Sequence, residues 1–101
     1  MSECPYGQLN ETTVNNIMSS LNIEHLQDIS AGAVYAVQSF FQDQGITFPV
    51  LNQAVDMFKL FKNGNGNGIL WVFYEGCTRG YVGMDSVGLQ HFTNTILGIP
   101  L

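Results

Sequence analysis

Three consecutive Asn-Gly pairs, from Asn63 to Gly68, do most to limit what this chain can become. Glycine loses the most freedom on ordering, and Asn and Gly are the residues that tolerate positive φ. Neither a helix nor a strand can run through such a stretch, so residues 63–68 are expected to be a flexible, exposed loop. That loop does not divide the chain into two domains. At 101 residues the chain has the size of one core, and too few residues follow the loop to build a second. The expectation is a single domain over residues 1–101, opened by an irregular arm at 1–9 that Pro5 and Gly7 interrupt.

Directly after the loop comes Ile69-Leu70-Trp71-Val72-Phe73-Tyr74, rich in β-branched and aromatic residues and therefore a strand. It is apolar on both faces, which places it centrally or under cover on both sides. Gly76 to Gly80 reads as a turn and Tyr81 to Met84 as a short return strand. A lone β-hairpin is marginal, so this one must lie on helices or extend across a dimer. A third strand could come from residues 1–9 or from a partner.

Helical spacing dominates elsewhere. Val14, Ile17, Met18 and Leu21 recur on one face, capped by Asn10 or Thr12 and ending near Asn22; Ile23 to Gln27 could add a helical turn. Asp28 or Ser30 can cap a second helix through Phe41, with Gly45 as its terminator. That helix is apolar nearly all round to Val37, the pattern of an enclosed helix, and carries a small-residue stripe of Gly32, Ala36 and Ser39. Pro49 suits the first turn of a third helix. There Val50, Leu51, Ala54, Val55, Phe58 and Phe61 face inward, and Asp56 can pair with Lys59. Asp85 or Ser86 caps a last helix carrying Val87, Leu89, Phe92, Ile96 and Leu97, stopped by Gly98 and Pro100. The order is helix, helix, helix, hairpin, helix: an α+β domain of about four helices.

Charge excludes several functions. Charged residues make up 11% of the chain, under half the ~25% typical of globular proteins. Lys59, Lys62 and Arg79 stand against eight carboxylates, for a net charge of −5. That balance cannot build the cationic stripe that nucleic acid requires, nor does it suit anionic membranes. The longest apolar runs, Ala31–Val37 and Ile69–Tyr74, fall far below the ~20 residues of a membrane span. Met1 to Gly7 lacks the basic and apolar regions of a secretory signal, so a cytoplasmic setting is expected. In that setting Cys4 and Cys77 are read as free thiols, although a disulfide between them stays open. Asn10-Glu11-Thr12 matches a glycosylation sequon and, without a secretory route, is read as chance or as a helix start.

Candidate chemistry is sparse. The glycine loop resembles a phosphate cradle in composition, but with a helix expected before it and a strand after it, a helix C-terminus would face the anion. Cys77 beside Arg79, with His25 or His91, could form an activated thiol, yet nothing in the spacing brings them together. A metal would need Cys4, Cys77, His25 and His91 to converge without any CxxC or HxxxH anchor. Glu75, Arg79 and Asp85 read more simply as a cross-strand pair and a helix cap than as an acid–base pair. No catalytic residue, metal or cofactor is assigned.

Aromatic content is the remaining signal: one Trp, four Tyr and seven Phe exceed what so small a core must hold, and Tyr and Trp are enriched in binding patches. The expected function is a noncatalytic protein-interaction or assembly module, an accessory protein that forms a homodimer or binds another protein. Its aromatic, weakly charged surface would comprise Trp71, Phe73, Tyr74, Cys77, Arg79 and Tyr81. The first alternative is a winged-helix-like regulator, with Pro49–Lys62 as recognition helix. The second is a small-molecule sensor or enzyme with an aromatic pocket near Cys77.

Overall fold

The computed structural model describes Cys4, residues 9–47 and residues 55–99. Four antiparallel strands form one sheet in the order of the chain: β1 (Glu24–Ser30), β2 (Met57–Lys62), β3 (Gly68–Tyr74) and β4 (Cys77–Met84). Three α-helices accompany it among the described residues. They are α1 (Glu11–Ser20), α2 (Val34–Asp43, entered through a 3-10 turn at Ala31–Ala33) and α3 (Ser86–Phe92, prolonged by a wider π turn through Leu97). The protein is an α+β domain, as its sequence implies, with three helices in place of about four.

β3 takes the central position that its two apolar faces require, paired with β2 on one side and β4 on the other. On one face of the sheet, Phe58, Leu60, Leu70, Val72, Tyr74, Val82 and Met84 pack against Val37, Phe40 and Phe41 of α2 and Leu89 and Phe92 of α3. On the other face, Phe61, Trp71 and Phe73 meet Val14 and Met18 of α1. The α2 and α3 aromatics interlock, with Phe40 edge-on to Phe92 at 5.4 Å and Phe41 stacked on it at 5.5 Å.

The helix caps follow the sequence closely. The Asn10 side chain accepts from the Thr13 backbone N–H at the start of α1, and Asp85 accepts from Gly88 at the start of α3. Gly45 and Gly98 follow their helices at positive φ, the conformation a terminating glycine supplies.

Three expectations fail, each for a physical reason. The predicted third helix is absent over Val55–Lys62, where the chain runs into β2; Pro49 to Ala54 lie outside the described residues. Lys59 and Lys62 are three apart and imitate a polar helix face. As a strand, the same residues place Phe58 and Leu60 on one side and Met57 and Phe61 on the other, so tertiary burial outweighs the helical period. Ile23–Gln27 does not add a helical turn: Glu24–Ser30 becomes β1, because β2 needs a second neighbour and finds Ile29 opposite Phe58 and Asp28 opposite Lys59. The third strand of the hairpin's sheet therefore comes from within the chain. Lastly, α2 is not enclosed. Gly32, Ala36 and Ser39 are exposed and Tyr35 is 83% exposed, while Val37, Phe40 and Phe41 turn inward.

Candidate interaction surface

The Asn-Gly loop joins β2 to β3, so its neighbours are two strands rather than a helix and a strand. The Asn63 side-chain oxygen accepts from the backbone of Asn65 and Asn67, and Gly66 takes a φ of +85°. This arrangement spends the Asn63 side chain and the nearby amides on one another, as expected of a connector. Gly68 is needed for a different reason: a Cβ there would come within 2.8 Å of Leu89 and Met84 side-chain atoms. Its absence lets α3 close on the sheet.

The β3–β4 turn is only two residues long. Glu75 and Gly76 both take positive φ, at 54° and 75°, the geometry of the turns favoured in two-residue hairpins. β4 therefore begins at Cys77, earlier than the sequence suggested. Glu75 sits at the tip and does not oppose Arg79, whose guanidinium lies 5.5 Å from the Tyr74 ring centre. Burial raises the Tyr74 hydroxyl above its ordinary pKa, partly offset by the Arg79 charge.

Cys77 is joined to Cys4 by a disulfide, with Cα atoms 5.5 Å apart. The free-thiol reading is thereby corrected, and the activated-thiol reading is left without a titratable sulfur. The spacing of 73 residues gave no framework pattern to reveal the bond. Beside it, Asn10 bridges to Cys77 and the Thr78 N–H donates to the Leu9 carbonyl. The start of β4 is thus tied down twice.

The six residues singled out from the sequence do not form one surface. Trp71 and Phe73 lie under α1, whereas Tyr74 belongs to the core against α2 and α3. All three are buried, as is Cys77. Arg79 and Tyr81 are exposed, Tyr81 by 61%. Tyr81 lies opposite Trp71 across the strands, and their rings tilt together at 4.8 Å. The Trp71 indole N–H is buried with no hydrogen-bond partner among the described residues, a rare and costly condition.

A cluster the sequence did not reveal lies on the α1 side of β1 and β2. The Lys59 ammonium, with its side chain 6% exposed, reaches Asp28 at 3.0 Å and Glu11 at 3.6 Å. His25 meets the same Asp28 oxygen at 2.7 Å. Burial alone would raise the Asp28 carboxyl, but hydrogen bonds from Lys59 and His25 outweigh it and hold it below the ordinary carboxylate range. The register Asp28–Lys59–Trp71 continues to Tyr81, one transverse row over four strands. Only the pairing of β1 with β2, itself unreadable, could have exposed this row in the sequence.

Open cavities also lie on the described part of the surface. One of about 400 Å³ lies beside Met84, Asp85, Val87 and His91. A smaller one of about 180 Å³ lies among Leu26, Leu60, Leu97 and Ile99. No group of three or more His, Cys, Asp or Glu among the described residues converges as metal ligands, and no described helix is long and apolar enough to cross a membrane. The winged-helix alternative loses the second half of its recognition helix to β2.

No protein-family model matches the chain, and neither a curated protein nor a solved structure does.

Proposed function

We propose that the protein is a noncatalytic interaction module that self-associates through the β4 side of its sheet. The observation that supports this reading is the edge of β4, which is open among the described residues. Gly80 to Met84 carry no charge, expose Tyr81, and pair with nothing on their outer side among the described residues. Natural sheets protect their edges with charges, bulges or a covering segment, and an unprotected edge is a template for another strand. Strand addition derives affinity from main-chain hydrogen bonds and specificity from side chains. Interface cores are poor in ions and rich in aromatic residues; Gly80 to Met84 hold no ion and one exposed aromatic, Tyr81.

The Cys4–Cys77 bond weighs for an oxidising compartment over the cytoplasm expected from the sequence. Sedimentation velocity on the oxidised chain across a wide concentration series tests the function. A weight-average mass rising toward twice 11.1 kDa is expected. A monomer at every concentration refutes the reading.

A further inference from the structure

The part of β4 that has no outer partner among the described residues fits a second copy of itself. It is bounded on one side by Thr78, whose N–H is taken by Leu9, and on the other by Ser86, where α3 begins. Between these limits lie residues 79–85, with Val82 at their centre. The Asp56 N–H donates to the Phe73 carbonyl, so the Phe73 backbone faces β2. By the alternation of an antiparallel ladder, Val72, Leu70 and Gly68 then face β4. Their partners Val82 and Met84 then turn toward β3, and the Gly80 N–H donates to the Thr78 hydroxyl. Tyr81 and Gly83 are left with N–H and C=O groups directed outward.

We infer that two copies pair β4 against β4, antiparallel about a twofold axis at Val82, to make one continuous eight-stranded sheet. This mode deepens the interaction reading above and rests on it. The register is self-complementary. Tyr81 of each copy falls opposite Gly83 of the other, and the two outward-facing residues exchange their backbone hydrogen bonds. At Gly83 an added Cβ would meet nothing within 4 Å, so the exposed Tyr81 ring has open space to cover, as aromatic residues do over cross-strand glycines. The only charged residues in the stretch, Arg79 on the Tyr74 ring and Asp85 capping α3, lie at its two ends, so antiparallel pairing brings each near its opposite charge in the other copy. A slip of the register would separate those charges. A C2 contact requires one patch that complements itself, and residues 79–85 meet that requirement in backbone, shape and charge.

The test compares wild type with Gly83→Pro and Arg79→Gln, each as the full oxidised chain. The Gly83 N–H faces outward, so proline removes no bond of the monomer's own ladder but deletes one across the axis. Arg79→Gln removes the end charge at an exposed position. Each variant should raise the dissociation constant by roughly tenfold or more, a typical cost for a lost interfacial contact, with circular dichroism unchanged. In the wild type, hydrogen exchange at the Tyr81 and Gly83 amides should slow as concentration rises. If the wild type associates while both variants associate equally tightly and those amides stay unprotected, the β4 pairing and the β4 side are both wrong, and only self-association itself survives. If the wild type never associates, the interaction reading itself fails. Should Gly83→Pro unfold, Arg79→Gln and the wild-type exchange pattern still decide.

Discussion

Along β1, the outer edge of the sheet carries Glu24, His25 and Asp28 and is kinked by an irregularity between His25 and Gln27. Along β4, the residues from Gly80 to Met84 carry no charge, and the strand is held at its hairpin end by a disulfide and a short backbone pairing. β1 thus carries along its length the devices that discourage strand addition; β4 confines its own charge and register shift to the hairpin end around Arg79, and from Gly80 to Met84 it meets no outer partner among the described residues. The contrast locates where a chain so poor in ions spends them. Four of its ionisable side chains, Glu11, His25, Asp28 and Lys59, gather beside β1, whereas β4 carries Arg79 alone, near its hairpin end.

The largest effect should come from cutting the β4 fastening. A disulfide closing a loop of this size restricts the unfolded chain, and the loop-entropy model gives about 4 kcal/mol. Cys4→Ser combined with Cys77→Ser should lower the unfolding free energy by roughly that amount in urea denaturation. A loss well under 1 kcal/mol would mean that the β4 edge is held by packing alone.

The next effect belongs to β1. Removing Asp28 leaves the buried Lys59 ammonium with Glu11 at 3.6 Å as its remaining carboxylate. An uncompensated buried charge is costly, whereas an isosteric apolar replacement of the charge itself is often neutral or stabilising. Asp28→Ala should therefore cost about 2 kcal/mol, and Lys59→Met close to nothing. Equal losses in both variants would make the cluster a source of stability rather than a guard of the edge. Neither change should alter self-association, since both lie across the sheet from β4.

The two edges also differ in how far the sequence disclosed them. The β3–β4 hairpin was readable because Ile69–Tyr74 has strand composition on both faces and an Asn-Gly loop in front. The caps at Asn10 and Asp85 were readable because capping is local chemistry. β1 and β2 were not. Lys59 is a buried cation inside a strand, and its spacing from Lys62 carries a helical period; its carboxylate partners lie far away in sequence. β1 is polar at most of its positions and becomes a strand only because β2 is beside it. On the candidate surface, exposed Arg79 and Tyr81 were named from sequence, but Gly83 was not. A glycine's role opposite Tyr81 of a second copy appears only once the outward-facing positions are known. Buried Trp71, Phe73 and Tyr74 were grouped by type and lie on opposite faces of the sheet.

The smallest expected effect separates the edges by pH. Asp28 has a depressed pKa in the folded protein. Its contribution is therefore present above the ordinary carboxylate value of 3.8 and disappears as pH falls through the lower native value. Because Asp28 is half exposed, solvent screening should keep this acid limb under about 1 kcal/mol. On the β4 side the sign reverses. Tyr74, beside Arg79, has a raised pKa, so the unfolded chain ionises near 10.0 while the folded hydroxyl stays neutral. That contribution is present below pH 10.0 and is lost as pH rises through the native value. Asp28→Asn should flatten the acid limb and leave the alkaline one, and Tyr74→Phe should do the opposite, both read from denaturation midpoints across the pH range. If either substitution flattened both limbs, the edges would be coupled through the sheet, and the division of labour between them would have to be abandoned.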